Sequence, residues 1–193
     1  MSTPPSGAGS PAAELLRAVV AGAPEAIDAW FRAEHPAVFR LCFGFLAHRA
    51  DAEDVAQEAM LQLLDRLGSW DTTRSYRAWR TTLVLNRCRD RVRRRGVRRE
   101  AEEGAAAGRP ESIRSDPAET VELAEAEELL ALGLRSLPPR EREAFVLRDL
   151  DGLDTAEVAR ALEITESSVR SLVTLARRRL RELLGARLAQ GNP

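Results

Sequence analysis

The stretch "LPPREREAFVLRDLDGLDTAEVARALEITESSVRSLVTLARRRLREL", Leu137 to Leu183, decides how the chain is read. Pro138 and Pro139 open a helix over "REREAFVLRDL", because proline suits a first helical turn, whose amide hydrogens have no partner within the helix. That helix is expected to end near Asp151-Gly152. Asp154 with Glu157 three residues later predicts a capping box for "TAEVARAL", and Thr165 caps a third helix, "ESSVRSLVTLARRRLRELL". A short helix, a turn of about three residues and a longer helix have the spacing of a helix-turn-helix. At about 100° per residue, Val169, Val173, Ala176, Leu180 and Leu183 form one apolar stripe. Ser167, Arg170, Ser171, Thr174 and Arg178 fall on the other side, free to read DNA. A bundle helix whose arginines only solvate an outer face has the same spacing, so this segment alone leaves both readings open.

Upstream, "NRCRDRVRRRGVRR" from Asn86 to Arg99 holds eight arginines and one acid, Asp90, in a chain whose net charge is only −1. Glu100 to Glu128 carries ten acids against two arginines, so near-neutrality conceals strong segregation. The 29 basic residues are all arginine. Residues 99–118, "REAEEGAAAGRPESIRSDPA", combine Gly, Pro, Ala and acids without an apolar period and read as a flexible acidic linker. The expected division is a disordered tail over 1–11, a first helical domain over 12–98, the linker, a second helical domain over 119–188 and a tail over 189–193. The fold class is all-α: apolar residues recur at helical spacing, with no alternating strand pattern and no internal repeat. The chain stops soon after Leu188, so no further C-terminal domain is expected.

Within the first domain, "DAEDVAQEAMLQLLDRL" begins a helix for which Asp51 is the expected cap. Ala56, Ala59, Met60, Leu63 and Leu67 make its buried stripe; Asp54, Gln57, Glu58, Leu61 and Asp65 lie opposite. An acidic face with an exposed leucine suits docking on a basic protein surface, where apolar contact supplies affinity and charge supplies steering. A solvated helix face fits the same pattern. In "GSWDTTRSYRAW", Trp70 stands in a polar loop ahead of Asn86 and the arginine run. A ring, an amide and positive charge are what a single-stranded base needs: stacking, an edge contact and phosphate neutralisation. Trp70 closing the loop as a core residue is the competing reading, and Trp79, at helical spacing from Leu83, is expected in the core.

Several function classes are disfavoured. Cys42 and Cys88 lack the spacing of a zinc site or a disulfide framework and are expected as buried thiols. His35 and His48 have no triad-like surroundings, so neither enzyme chemistry, a metal nor a cofactor is expected. No apolar run reaches the roughly 18 residues of a membrane span, and "MSTPPSGAGSPAAE" lacks the basic start and apolar centre of a secretory signal. A soluble cytoplasmic chain is the expectation.

Taken in order, "DAEDVAQEAMLQLL", "SWDTTRSYRAW" leading into "NRCRDRVRRR", and the Leu137 to Leu183 stretch resemble the extracytoplasmic-function (ECF) sigma factors of the sigma-70 family. The resemblance covers most of the chain outside the N-terminal tail and the linker. It implies that 12–98 is sigma region 2 and 119–188 region 4, binding core RNA polymerase at its clamp and flap and directing it to promoter DNA. Asp51, Asp54, Gln57, Glu58 and Leu61 would dock on polymerase. Trp70, Thr73, Arg74, Asn86, Arg87, Asp90, Arg91, Arg93 and Arg94 would bind the minus-ten element, with Trp70 and Asn86 capturing a flipped base and Arg87, Arg91, Arg93, Arg94 and Arg95 neutralising phosphates. Thr165, Ser167, Ser168, Arg170, Ser171, Thr174 and Arg178 would read the minus-thirty-five element. Family members are commonly held by an anti-sigma protein. The chain departs from the family in three places: Glu163 stands where the turn usually has glycine, and Leu172 and Leu175 where a basic residue is common, which implies weaker or altered upstream recognition. A helix-turn-helix regulator working without sigma-like polymerase binding is the alternative.

Overall fold

The computed structural model describes residues 13–103 and 121–190. Eight α-helices and no strand occur among them. The first four are α1 (Ala13–Val20), α2 (Pro24–Leu46), α3 (Arg49–Arg66) and α4 (Tyr76–Glu103). α2 is the hub of this half, packing against α1, α3 and α4 and burying Trp30, Val38, Leu41, Cys42, Phe43 and Phe45. It starts with proline in its first turn and runs on through Pro36. Its C-cap is Ala47 in the left-handed region (φ 49°), donating its amide hydrogen to the Phe43 carbonyl.

The stripe expected on α3 is buried: Ala56, Ala59, Met60, Leu63 and Leu67 are at most 3% exposed. The start of that helix differs from the sequence reading. His48 is the N-cap, with Nδ1 accepting the Asp51 amide, so the helix begins three residues earlier and Asp51 sits in its first turn rather than capping it. Histidine is an uncommon cap, which is why the aspartate looked the better candidate.

The second half comprises α5 (Val121–Ser136), α6 (Pro139–Phe145), α7 (Thr155–Leu162) and α8 (Glu166–Gln190). Pro138 caps α6 and Pro139 begins it. The capping box of Asp154 and Glu157 is present in both directions. Thr165 caps α8, its hydroxyl accepting the Ser168 amide at 3.2 Å. Between α6 and Asp151 the sequence gives no warning of a π-helical turn, Val146–Leu150, which widens the helix and ends at Gly152 (φ 77°). The wider turn buries Val146 and Leu147 and carries Asp151 toward α4.

Two boundaries move. α4 continues through Glu103, so the first five residues of the expected linker are helical, and 104–118 lies outside the described residues. α8 continues to Gln190, into the expected tail. The core is also shared: one apolar cluster runs from Leu16 and Trp30 through Leu85 to Val146, Leu153, Val169 and Val173. The two halves that the sequence separates at a linker pack against each other.

Candidate nucleic-acid interface

The outer face of α3 is laid out by helical period alone. Asp54, Gln57, Glu58, Leu61 and Asp65 are exposed, and Leu61 keeps 65% of its surface in water. Asp51 is not on that face. It is 3% exposed and takes two hydrogen bonds from Arg91, whose Nη2 lies 2.8 Å from Oδ1, together with an ion pair to Arg95. Arg91 also reaches Asp54 at 3.0 Å.

These pairs change the reading of the arginine run. Arg87 donates to Gln62, Arg91 and Arg95 turn inward to α3, and Arg93 pairs with Asp90 on its own helix at 2.9 Å. Arg93, Arg94 and Arg95 remain exposed, as does Asn86. The run therefore first joins α4 to α3, and among its described side chains Arg93 and Arg94 are exposed without a bond to α3.

Trp70 follows a 3-10 turn, Leu67–Ser69, and is half-buried. Its ring meets Tyr76 edge-on at 5.3 Å and Trp79 at 6.3 Å; Tyr76 in turn accepts a hydrogen bond from the buried Trp30 indole at 3.0 Å. Burial, more than the nearby Glu34 charge, raises the Tyr76 hydroxyl well above its ordinary range, so it stays protonated. The Trp70 Nε1 hydrogen is buried without a partner, a cost of about 1–3 kcal/mol. The loop beyond is braced by Asp71, whose Oδ1 accepts from the amide and hydroxyl of Thr73 while its other oxygen pairs with Arg74. Those two Thr73 bonds hold the Asp71 carboxyl below its usual range. The role of Asp71 as a loop brace escapes the sequence reading, although an aspartate two residues before threonine is the pattern of such a turn.

At the other end, Thr165, Ser167, Ser168, Arg170, Ser171, Thr174 and Arg178 are all exposed, while Val169, Val173 and Ala176 are buried. Thr165, Ser167 and Ser168 share hydroxyl hydrogen bonds of 2.8–2.9 Å, and Arg170 reaches back to Glu166. Glu163 does adopt the left-handed conformation, at φ 57°, in the turn between α7 and α8. Leu172 and Leu175 are half-buried. Leu172 packs on the core, which gives it a structural use that a basic residue would not serve.

A group that the sequence reading did not identify lies between the halves. Arg80, 3% exposed, donates to Glu34 on α2 at 3.1 Å and to Asp151 at 2.7 Å; the Thr81 hydroxyl also donates to Asp151. Burial raises the Glu34 carboxyl above its ordinary range, and the charge and hydrogen bond of Arg80 oppose that shift. A signal existed: Glu34 and Arg80 each interrupt an otherwise apolar helical stripe, between Trp30 and Val38 and between Tyr76 and Val84.

Comparison with known proteins covers both halves. The model for Sigma-70 region 2 matches residues 30–98, and that for Sigma-70, region 4 matches 127–180. The chain is 34% identical over 176 residues to the ECF RNA polymerase sigma factor SigM of Mycobacterium tuberculosis, covering 90% of this chain and 84% of SigM. It is 30% identical over 172 residues to BldN of Streptomyces coelicolor, also an ECF RNA polymerase sigma factor, covering 89% and 65%. Among solved structures it resembles the sigma factor RpoE of Bartonella quintana in complex with the anti-sigma factor NepR, with TM-score 0.67 and 22% identity over 82% of this chain and 96% of that one. CnrH in complex with the cytosolic domain of CnrY gives TM-score 0.65 and 22% identity over 90% and 96%. At those identities the two structures speak to the fold. No helix among the described residues is long and apolar enough to cross a membrane.

Proposed function

Because the chain belongs to the sigma-70 family, among its ECF sigma factors, we propose that its two matched segments divide promoter recognition while the outer face of α3 grips core RNA polymerase. The observation that carries the docking role is Leu61, left 65% exposed amid Asp54, Gln57 and Glu58 on a helix whose other side is fully buried. A lone exposed leucine among acids meets both needs of a polymerase contact, apolar area and a charge sign opposite to a basic clamp. Asp51 acts from beneath, fixing Arg91 and Arg95 against α3.

On the DNA side, Asn86 and the exposed Arg93 and Arg94 lie on α4, while Thr73 and Arg74 lie in the loop that follows Trp70. Unpairing a base costs a few kcal/mol, and stacking on an aromatic ring returns about 1–3 kcal/mol per base. Trp70 would provide that ring, with Asn86 bonding a base edge. Thr165, Ser167, Ser168, Arg170, Ser171, Thr174 and Arg178 would contact the upstream element through the first turns of α8. The chain acts in the cytoplasm without catalysing bond formation, and an anti-sigma protein holds it inactive, as NepR is found on the Bartonella factor. A regulator working through its helix-turn-helix alone leaves the region 2 match over 30–98 without a role.

The test is association with core polymerase at low salt. Glu58→Arg reverses a charge at the centre of the face and should weaken association at least tenfold, equivalent to about 1.4 kcal/mol. An unchanged affinity would remove this face from the interface, and failure of the wild-type chain to start RNA synthesis with core enzyme would remove the whole assignment.

A further inference from the structure

The first turns of α8 are rich in hydroxyls, and those hydroxyls are already engaged. Thr165 bonds to Ser167 at 2.9 Å and to Ser168 at 2.8 Å. Further along, the Ser171 hydroxyl donates to the Ser167 carbonyl at 3.1 Å, and that of Thr174 donates to the Arg170 carbonyl at 2.8 Å. Serine and threonine bond to either kind of base edge, and one held to its own helix is not free to turn toward a chosen base. Such side chains can line a groove but tell base pairs apart poorly. Arginines later in the helix are held by the fold: Arg177 makes bonds of 2.7 and 2.6 Å to Asp149, and Arg179 one of 3.0 Å to Glu141.

At the start of α8 stands a charged pair. Glu166 lies in the first turn and accepts a hydrogen bond from Nη2 of Arg170 at 2.8 Å. Arg170 and Glu166 keep 65% and 49% of their side-chain surface in water, so neither is committed to the core. A carboxylate in a first turn stabilises the helix through its dipole, a gain that is the same for every DNA sequence.

The place of Glu166 gives it a second use. In a helix-turn-helix the N-terminal residues of the second helix meet base edges in the major groove. A carboxylate there faces a polyanion and accepts hydrogen bonds without donating any, so guanine and thymine, which present acceptors, repel it. Cytosine presents an amino group alone, and its N4 is the partner that glutamate takes. The guanidinium of Arg170 has further N–H groups beyond the one given to Glu166, and guanine O6 and N7 are the edge that such a fork fits.

We propose that Glu166 is a specificity-determining residue of the upstream contact: its carboxylate accepts a hydrogen bond from N4 of a cytosine in the minus-thirty-five element while it holds Arg170 toward a guanine nearby. This deepens the sigma reading and rests on it. Four residues of helix advance about 6 Å, and base pairs are stacked about 3.4 Å apart, so the cytosine and guanine lie about two base pairs from each other. Because the pair is neutral as a unit, it adds little to overall affinity and acts by rejecting wrong bases.

The test is transcription by the full chain with core polymerase from a promoter library randomised through both elements. The wild type should select a cytosine at one upstream position and a guanine about two base pairs away. Glu166→Gln replaces the carboxylate by an amide that bonds N6 and N7 of adenine together, so preference at the first position should move from cytosine to adenine by about fivefold or more. Arg170→Ala should flatten the guanine preference and leave the cytosine in place. Both side chains are exposed, so the variants keep the fold, which circular dichroism checks. A Glu166→Gln variant that selects the wild-type bases, or that loses activity equally on all sequences, would confine Glu166 to the helix dipole and overturn the proposal. A wild type that transcribes nothing in the library would instead overturn the sigma reading.

Discussion

The two ends of α4 use the same residue type for opposite purposes. Near its start, Arg80 is 3% exposed and locked between Glu34 and Asp151; fifteen residues on, Arg95 is exposed although it pairs with Asp51, and Arg94 beside it lies open to water. The dense cluster in "NRCRDRVRRRGVRR" draws attention as a polyanion site, yet the isolated Arg80 bridges the halves. Clustering reports where positive charge accumulates. Whether an arginine binds DNA or holds the fold depends on which acid the tertiary structure brings within reach.

Mutations that treat the two ends alike should separate them sharply. Arg80→Ala strands Glu34 and Asp151 in a desolvated pocket, and urea unfolding should show a loss of about 3–5 kcal/mol. A loss under 1 kcal/mol would mean that water reaches the site and that the two ends do not differ as the geometry says.

Trp70 stands between these extremes. Trp70→Ala removes a half-buried ring from the Tyr76 and Trp79 cluster and should cost about 2 kcal/mol, below the 3–5 kcal/mol of a full core aromatic. Trp70→Phe keeps ring contact and deletes the unpaired Nε1 hydrogen, so it should lie within about 1 kcal/mol of wild type. If base capture also falls to this ring, Trp70→Ala lowers permanganate reactivity of promoter thymines, and unchanged reactivity removes Trp70 from that role.

In the second half, Glu163→Gly relieves a left-handed residue whose strain is about 1–2 kcal/mol, less the extra chain entropy of glycine. A gain of about 1 kcal/mol in urea unfolding is expected, and a loss would show that the Glu163 side chain supports the turn. The smallest effect on stability belongs to Arg94→Ala, expected within about 0.5 kcal/mol of wild type. Its consequence should appear in promoter binding, where losing one phosphate contact lowers the slope of log affinity against log salt by about 0.9. An unaltered slope would place Arg94 outside the DNA path.

Much of the helical layout was legible because period and capping are local. The apolar stripe of α3, the capping box at Asp154 and the Thr165 cap each depend on residues within a turn or two, whereas the left-handed turn at Glu163 was expected only from the family resemblance. The outer face of α3 followed from the same period, and with it the exposure of Leu61. His48 replacing Asp51 as cap shows the limit of that reasoning: Asp51 was drawn inward by Arg91 and Arg95, 40 and 44 residues away in sequence. The π turn was equally invisible, since it arises where α6 ends against α2.

By itself the sequence determined which segments are helices, which faces are apolar and which family the motifs resemble, because these follow from spacing along one chain. Only the tertiary structure decided the partners of the charges. The bonds from Arg80 to Asp151, Arg89 to Glu143 and Arg135 to the end of α2 join residues separated by 71, 54 and 88 positions. No periodicity encodes such pairs. They form because apolar surfaces on both halves seek burial together, and each charge carried into that contact must find an opposite charge or a carbonyl to replace the water it loses.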